Sequence, residues 1–142
     1  MRPRARSLIL LVLTLTVLVG CTHSGIATTH LAATTVAELL ALRSAATTDP
    51  AAYTPYFADA GIAEQLGASG AEGAIPGFDT PYVSKLGGSS ADVVVRWKDT
   101  DAFPGWPSAT VFVMELDDGR WLVVDAVDAS GTLPPPAENV AP

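Results

Sequence analysis

A carboxyl group set among large apolar side chains is well placed to move a proton, because burial disfavours its charged form and raises its pKa. In this chain of 142 residues the acid that best fits that description is Asp125. It closes the run Arg120-Trp121-Leu122-Val123-Val124-Asp125. A strand through that run, paired with the segment before it, puts Asp125 on the face of Trp121, Val123 and Phe112. There it would act as a general acid or base. The plainer alternatives are an Asp125 at the mouth of the sheet, or one that bonds a backbone N–H or Arg96. Tyr53, Tyr56, Trp97 and Trp121, with Phe57, can line a pocket between helices and sheet and so serve as ligand-binding residues, or they can fill an ordinary core.

Other chemistries find less support. The serines lack the strained strand-to-helix turn of a hydrolase nucleophile. His23 and His30 lie in a small, polar stretch with no carboxylate nearby, so no metal site is expected. Asp99 and Asp101 lack the ligand spacing of a calcium loop. Gly87-Gly88-Ser89-Ser90 has no phosphate-loop lysine. No cofactor is expected.

The elements that would position Asp125 are strands. In Asp92–Lys98, Val93, Val95 and Trp97 alternate with Asp92, Val94, Arg96 and Lys98. Thr110–Leu116 and Trp121–Val127 flank Asp118-Gly119, a strong signal for a two-residue type I′ hairpin. Pairing Asp117 with Arg120 gives a register of Leu116 with Trp121, Met114 with Val123 and Phe112 with Asp125. The other face pairs Glu115 with Leu122, Val113 with Val124 and Val111 with Ala126. Both faces are apolar, so both should be partly covered: one by helices, the other by a loop, a partner or a ligand. The loop Asp99–Ser108 carries two aromatics and has the makings of a flap. Further back, a short strand is expected near Tyr82–Leu86, within a glycine-rich region.

The first half reads as helix. Thr35-x-x-Glu38 has capping-box spacing, with Val36, Leu39, Leu40 and Leu42 following, which predicts a helix from Thr35 to about Ala46. Asp49-Pro50 and Thr54-Pro55 predict a short turn of helix and then a helix from Pro55 to about Leu66, stopped at Gly67. Helices first and an antiparallel sheet after them is an α+β order. The front Val36-Ala-Glu-Leu-Leu to Tyr56-Phe57-Ala58-Asp59, with the closing Asp118-Gly119-Arg120-Trp121-Leu122-Val123-Val124-Asp125, resembles the nuclear-transport-factor-2-like superfamily across about residues 34–129. The resemblance implies N-terminal helices packed on a curved antiparallel sheet, a cone in full or reduced form. Ketosteroid isomerases and polyketide cyclases of that superfamily place acids inside the cone, although no motif here matches theirs residue by residue.

The amino terminus carries a different signal. Arg2, Arg4 and Arg6 precede the apolar run Leu8–Val19, which is twelve residues long and too short to span a bilayer comfortably. Leu18-Val19-Gly20-Cys21 resembles the bacterial lipobox. That resemblance implies cleavage after Gly20, a diacylglycerol thioether on the Cys21 sulfur, usually a further acyl chain such as palmitate, and an extracytoplasmic protein anchored to the cell membrane. Two or more chains hold stably where one holds weakly. The expected organisation is a signal peptide over 1–20, a flexible tether over 21–33, one domain over 34–132 and a disordered, proline-rich tail over 133–142.

Without residues 1–20 the chain has five basic and fifteen acidic residues, a side-chain charge of −10. That argues against nucleic acid and against an electrostatic grip on anionic lipid. Cys21 is the only cysteine, so no disulfide can form within the chain. The expected role is a non-catalytic module that binds a small apolar ligand or an envelope protein. The alternative is a small enzyme of the ketosteroid isomerase or polyketide cyclase type, using Asp125.

Overall fold

A computed structural model describes residues 24–65 and 73–137. Its helical half opens with α1, Ser24–Ser44. The helix starts eleven residues ahead of Thr35, so from Ser24 onward the expected tether is helix. Burial supplies the reason. Ala32 is fully buried in step with Val36, Leu39 and Leu40, an i, i+4, i+7, i+8 stripe that begins a turn before Thr35. Thr35 is no cap: its hydroxyl donates back to the Leu31 carbonyl at 2.8 Å, as mid-helix threonines do. His30 lies within this helix. Residues 1–23, with Cys21 and His23, lie outside the described residues.

A Schellman arrangement closes α1. The Thr47 N–H donates to the Leu42 carbonyl at 3.1 Å and that of Ala46 to Arg43 at 3.0 Å, with Ala46 in the left-handed region at φ 52°. Asp49 then caps α2, Pro50–Tyr53, its Oδ1 accepting from the Ala51 N–H at 3.0 Å. The Tyr53 hydroxyl donates to the Thr47 carbonyl at 2.6 Å and ties α2 to the end of α1. The single helix expected from Pro55 to Leu66 is two pieces, a 3-10 turn over Thr54–Tyr56 and α3, Ala60–Gln65. Phe57 interrupts them in an extended conformation, because it pairs with the sheet. Asp59 restarts the helix by accepting from the Ile62 N–H at 2.9 Å. Leu66 and Gly67 lie outside the described residues.

The sheet is antiparallel and open. It comprises β1 (Gly77–Phe78), β2 (Tyr82–Leu86), β3 (Ser90–Lys98), β4 (Ala109–Asp117) and β5 (Arg120–Ala129). β3 is central: β4 and then β5 lie on one side of it, β1 and β2 along the other. The β4–β5 turn has the expected type I′ signs, with φ 46° at Asp118 and 76° at Gly119. The expected register holds from Asp117–Arg120 to Met114–Val123 and then slips by one. Val113 pairs with Asp125, and Phe112 with Ala126, so Val124 is the extra residue of a β-bulge. At that point Phe57 forms a parallel bridge to Val123, and the Ala58 N–H donates to the Val123 carbonyl at 3.0 Å. The helical half thus covers part of the β5 edge.

Val36, Leu39 and Leu40 of α1, with Tyr53 and Phe57, form one core with Val93, Val95, Met114, Trp121 and Val123 of the sheet. The architecture is therefore α+β, with the N-terminal helices packed on an antiparallel sheet. The segment expected to be a disordered tail is placed as far as Ala137. The Tyr82 hydroxyl donates to the Pro134 carbonyl at 2.8 Å, and the Ala137 N–H to the Val83 carbonyl at 2.9 Å. These bonds cover the free edge of β2, which would otherwise offer a template for strand addition.

Met114 is fully buried at the middle of β4. Met114→Ala should lower stability by about 2–5 kcal/mol. In urea unfolding the midpoint should fall at unchanged slope, and an unchanged midpoint would contradict this packing.

Candidate functional site

A pocket of about 590 Å³ opens between α1 and the sheet, at the end of the domain where α1 finishes. Leu39, Leu40 and Arg43 line it from the helix, and Phe57 and Ile75 from the connecting segments. Thr110, Phe112, Ala126 and Asp128 line it from β4 and β5. Trp97, from the end of β3, and Trp106, from the loop that follows, complete the wall. The volume falls in the range of small-molecule sites, and the lining is mostly apolar with a few polar groups, as such sites are.

The loop between β3 and β4 earns its place through aromatic packing. Asp99 takes a left-handed conformation, φ 54°, and a 3-10 turn follows over Thr100–Ala102. Phe103 and Trp106 pack edge to face at 5.9 Å, and Trp106 and Trp97 at 5.4 Å with their planes 85° apart. Phe78 adds an edge contact to Trp97 at 6.1 Å. Trp97 is also pinned through its ring N–H, which donates to the Thr110 hydroxyl at 3.0 Å. Thr110 is the buried polar residue of the core. Trp106 differs: its Nε1 is buried without a hydrogen-bond partner. An orphaned donor of this kind costs about 1–3 kcal/mol. The loop accepts that cost to hold the indole against the pocket.

Asp125 is not where the unbulged register would set it. The bulge at Val124 takes it off the Trp121–Val123 face and pairs it with Val113. It stands at the pocket rim, exposed, with Oδ1 accepting from the Ala126 N–H at 2.8 Å. A carboxylate open to water and held by a backbone N–H is not the shielded acid that proton transfer would use.

The four aromatic candidates do not converge. Trp97 lines the large pocket. Tyr53 and Trp121 are buried in the core, and Trp121 also lines a smaller groove of about 290 Å³ beside the middle of α1. Tyr56 lines that groove with Leu31, Glu38 and Arg120. Thr110, Phe112, Asp128, Arg43 and Trp106 were not foreseen as a group. The one advance sign was the pair of aromatics in the loop Asp99–Ser108. Among the described residues, no group of three or more His, Cys, Asp or Glu side chains is arranged to hold a metal ion.

Compared with known protein families, curated proteins and solved structures, the chain matches none.

In the smaller groove, burial pushes the Tyr56 hydroxyl above its ordinary pKa of 10.0, and the Glu38 carboxylate raises it further by its charge and by accepting the phenol's hydrogen bond. A folded value above the unfolded one gives stability that is complete below the ordinary tyrosine range and fades as pH rises through the folded value. Tyr56→Phe should remove that component of the alkaline loss, and phenolate absorbance should show one late-titrating tyrosine fewer. An identical alkaline titration in the variant would contradict the Tyr56–Glu38 contact.

Proposed function

We propose that this chain is an extracytoplasmic lipoprotein, held at the cell membrane by lipid on Cys21, whose domain binds a small apolar ligand without transforming it. The anchoring rests on the resemblance of Leu18-Val19-Gly20-Cys21 to the lipobox, after a charged start and a short apolar run. No helix among the described residues is long and apolar enough to cross a membrane.

The binding role rests on one observation, the pocket of about 590 Å³ with apolar and aromatic walls. Helices ahead of an antiparallel sheet, with a cavity between them, also support the nuclear-transport-factor-2-like reading of the fold, in reduced form. The enzymatic alternative required a carboxylate shielded inside that cavity, and Asp125 is exposed at its rim.

Two variants test the two halves separately. Cys21→Ala should move the protein from the detergent phase to the aqueous phase; unchanged partition would end the anchoring proposal. Ala126→Trp, which fills the pocket from β5, should abolish the fluorescence gain of a neutral apolar dye such as Nile red. Equal dye binding by a folded variant would end the pocket proposal.

A further inference from the structure

The pocket's walls indicate the charge of its occupant. Trp97 and Trp106 both line it, and their planes stand 85° apart. An occupant of the corner between two perpendicular rings meets a π face, and π faces attract cations. Phe112 adds a third aromatic wall. Asp128 lies beside this corner. It pairs in register with Thr110, the residue that holds the Trp97 ring N–H, and it lines a second, smaller cavity together with Trp106 and Thr110. Asp125 adds another carboxylate at the rim, and Arg43 on the helix wall supplies the one opposing charge. Two carboxylates against one guanidinium leave the lining at −1, within a domain that is itself strongly acidic. Leu39, Leu40 and Ile75 offer the remaining surface to an uncharged apolar body.

We infer that the ligand is an organic ammonium, a molecule with one positively charged nitrogen on an apolar or aromatic body. The ammonium sits at the Trp97–Trp106 corner beside Asp128, and the apolar body lies against α1. This assignment deepens the pocket reading and rests on it.

Phenyltrimethylammonium, its uncharged isostere tert-butylbenzene and the anion benzenesulfonate distinguish the possibilities. Binding to the full chain carrying Cys21→Ala, free of detergent, is followed by tryptophan fluorescence and by the NMR shifts of the Trp97 and Trp106 ring N–H groups. The ammonium should bind about five-fold or more tightly than its uncharged isostere, and added salt should reduce that preference. Asp128→Asn should lower the ratio by weakening ammonium binding, and Asp125→Asn should lower it to a smaller extent; a ratio unchanged in Asp128→Asn overturns the placement of the ammonium beside Asp128. Equal or tighter binding of the uncharged compound, or preference for the anion, overturns the ammonium assignment and leaves the pocket reading standing. Binding of none of the three, with Nile red also excluded, overturns both.

Discussion

The domain depends on the seating of one helical stripe on one sheet. Ala32, Val36, Leu39 and Leu40 of α1 join Val93, Val95, Met114 and Val123 in a single buried cluster. With one cysteine in the chain, no internal disulfide can share that task. Burial must therefore offset the ordering of the chain, at about 25 cal/mol per Å² of apolar surface removed from water. The stripe also sets the position of the pocket. After Leu40 the helix turns Arg43 toward the sheet, and α1 ends within two residues. Beyond Leu42 the helix brings no further apolar side chain, and the cavity opens over Thr110, Phe112 and Ala126.

The second constraint is the bulge at Val124. Side chains alternate between the faces of a strand, so one extra residue exchanges them for the rest of its length. Without the bulge, Val127 would lie opposite Thr110 and Asp125 opposite Phe112. With it, Asp128 meets Thr110 and Ala126 meets Phe112. The exchange puts a small residue where the cavity needs room and a carboxylate beside the indole corner. It also moves Asp125 from the core face to the rim. One irregularity thus removes a catalytic acid and supplies a charged wall.

This explains which parts of the molecule were legible in the sequence. Asp118-Gly119 and the alternation on either side of it are local, and they gave the hairpin and the first four residue pairs correctly. The bulge has no local sign, neither glycine nor proline, and it lies where Phe57 and Ala58 bond to Val123 from far away in the chain. Everything read beyond Val123 was therefore displaced by one residue. The early start of α1 was hidden because its deciding contact is made by Ala32, a side chain too small to register as part of an apolar stripe. The bonds made by Pro134 and Ala137 have no local sign either. Pro134-Pro135-Pro136 suggests disorder, yet a proline carbonyl still accepts a hydrogen bond, and Ala137 provides the N–H that the prolines lack. Trp97 and Thr110 keep the plain alternation of β3 and β4, whereas the face of Asp128 is set by the register of β5 beyond the bulge.

The helical start at Ser24 gives the proposed anchor a structural consequence. Only Thr22 and His23 separate Cys21 from α1. The middle turns of α1, around Leu31 and Thr35, share the small groove with Gly119 and Arg120 of the hairpin turn, while its last turns line the large pocket. At a rise of about 1.5 Å per residue, the helix from Ser24 to Arg43 spans roughly 28 Å. A lipid on Cys21 would therefore hold the hairpin end of the domain nearer the bilayer and the pocket end farther away. Such a helix resists the folding back that a flexible linker allows.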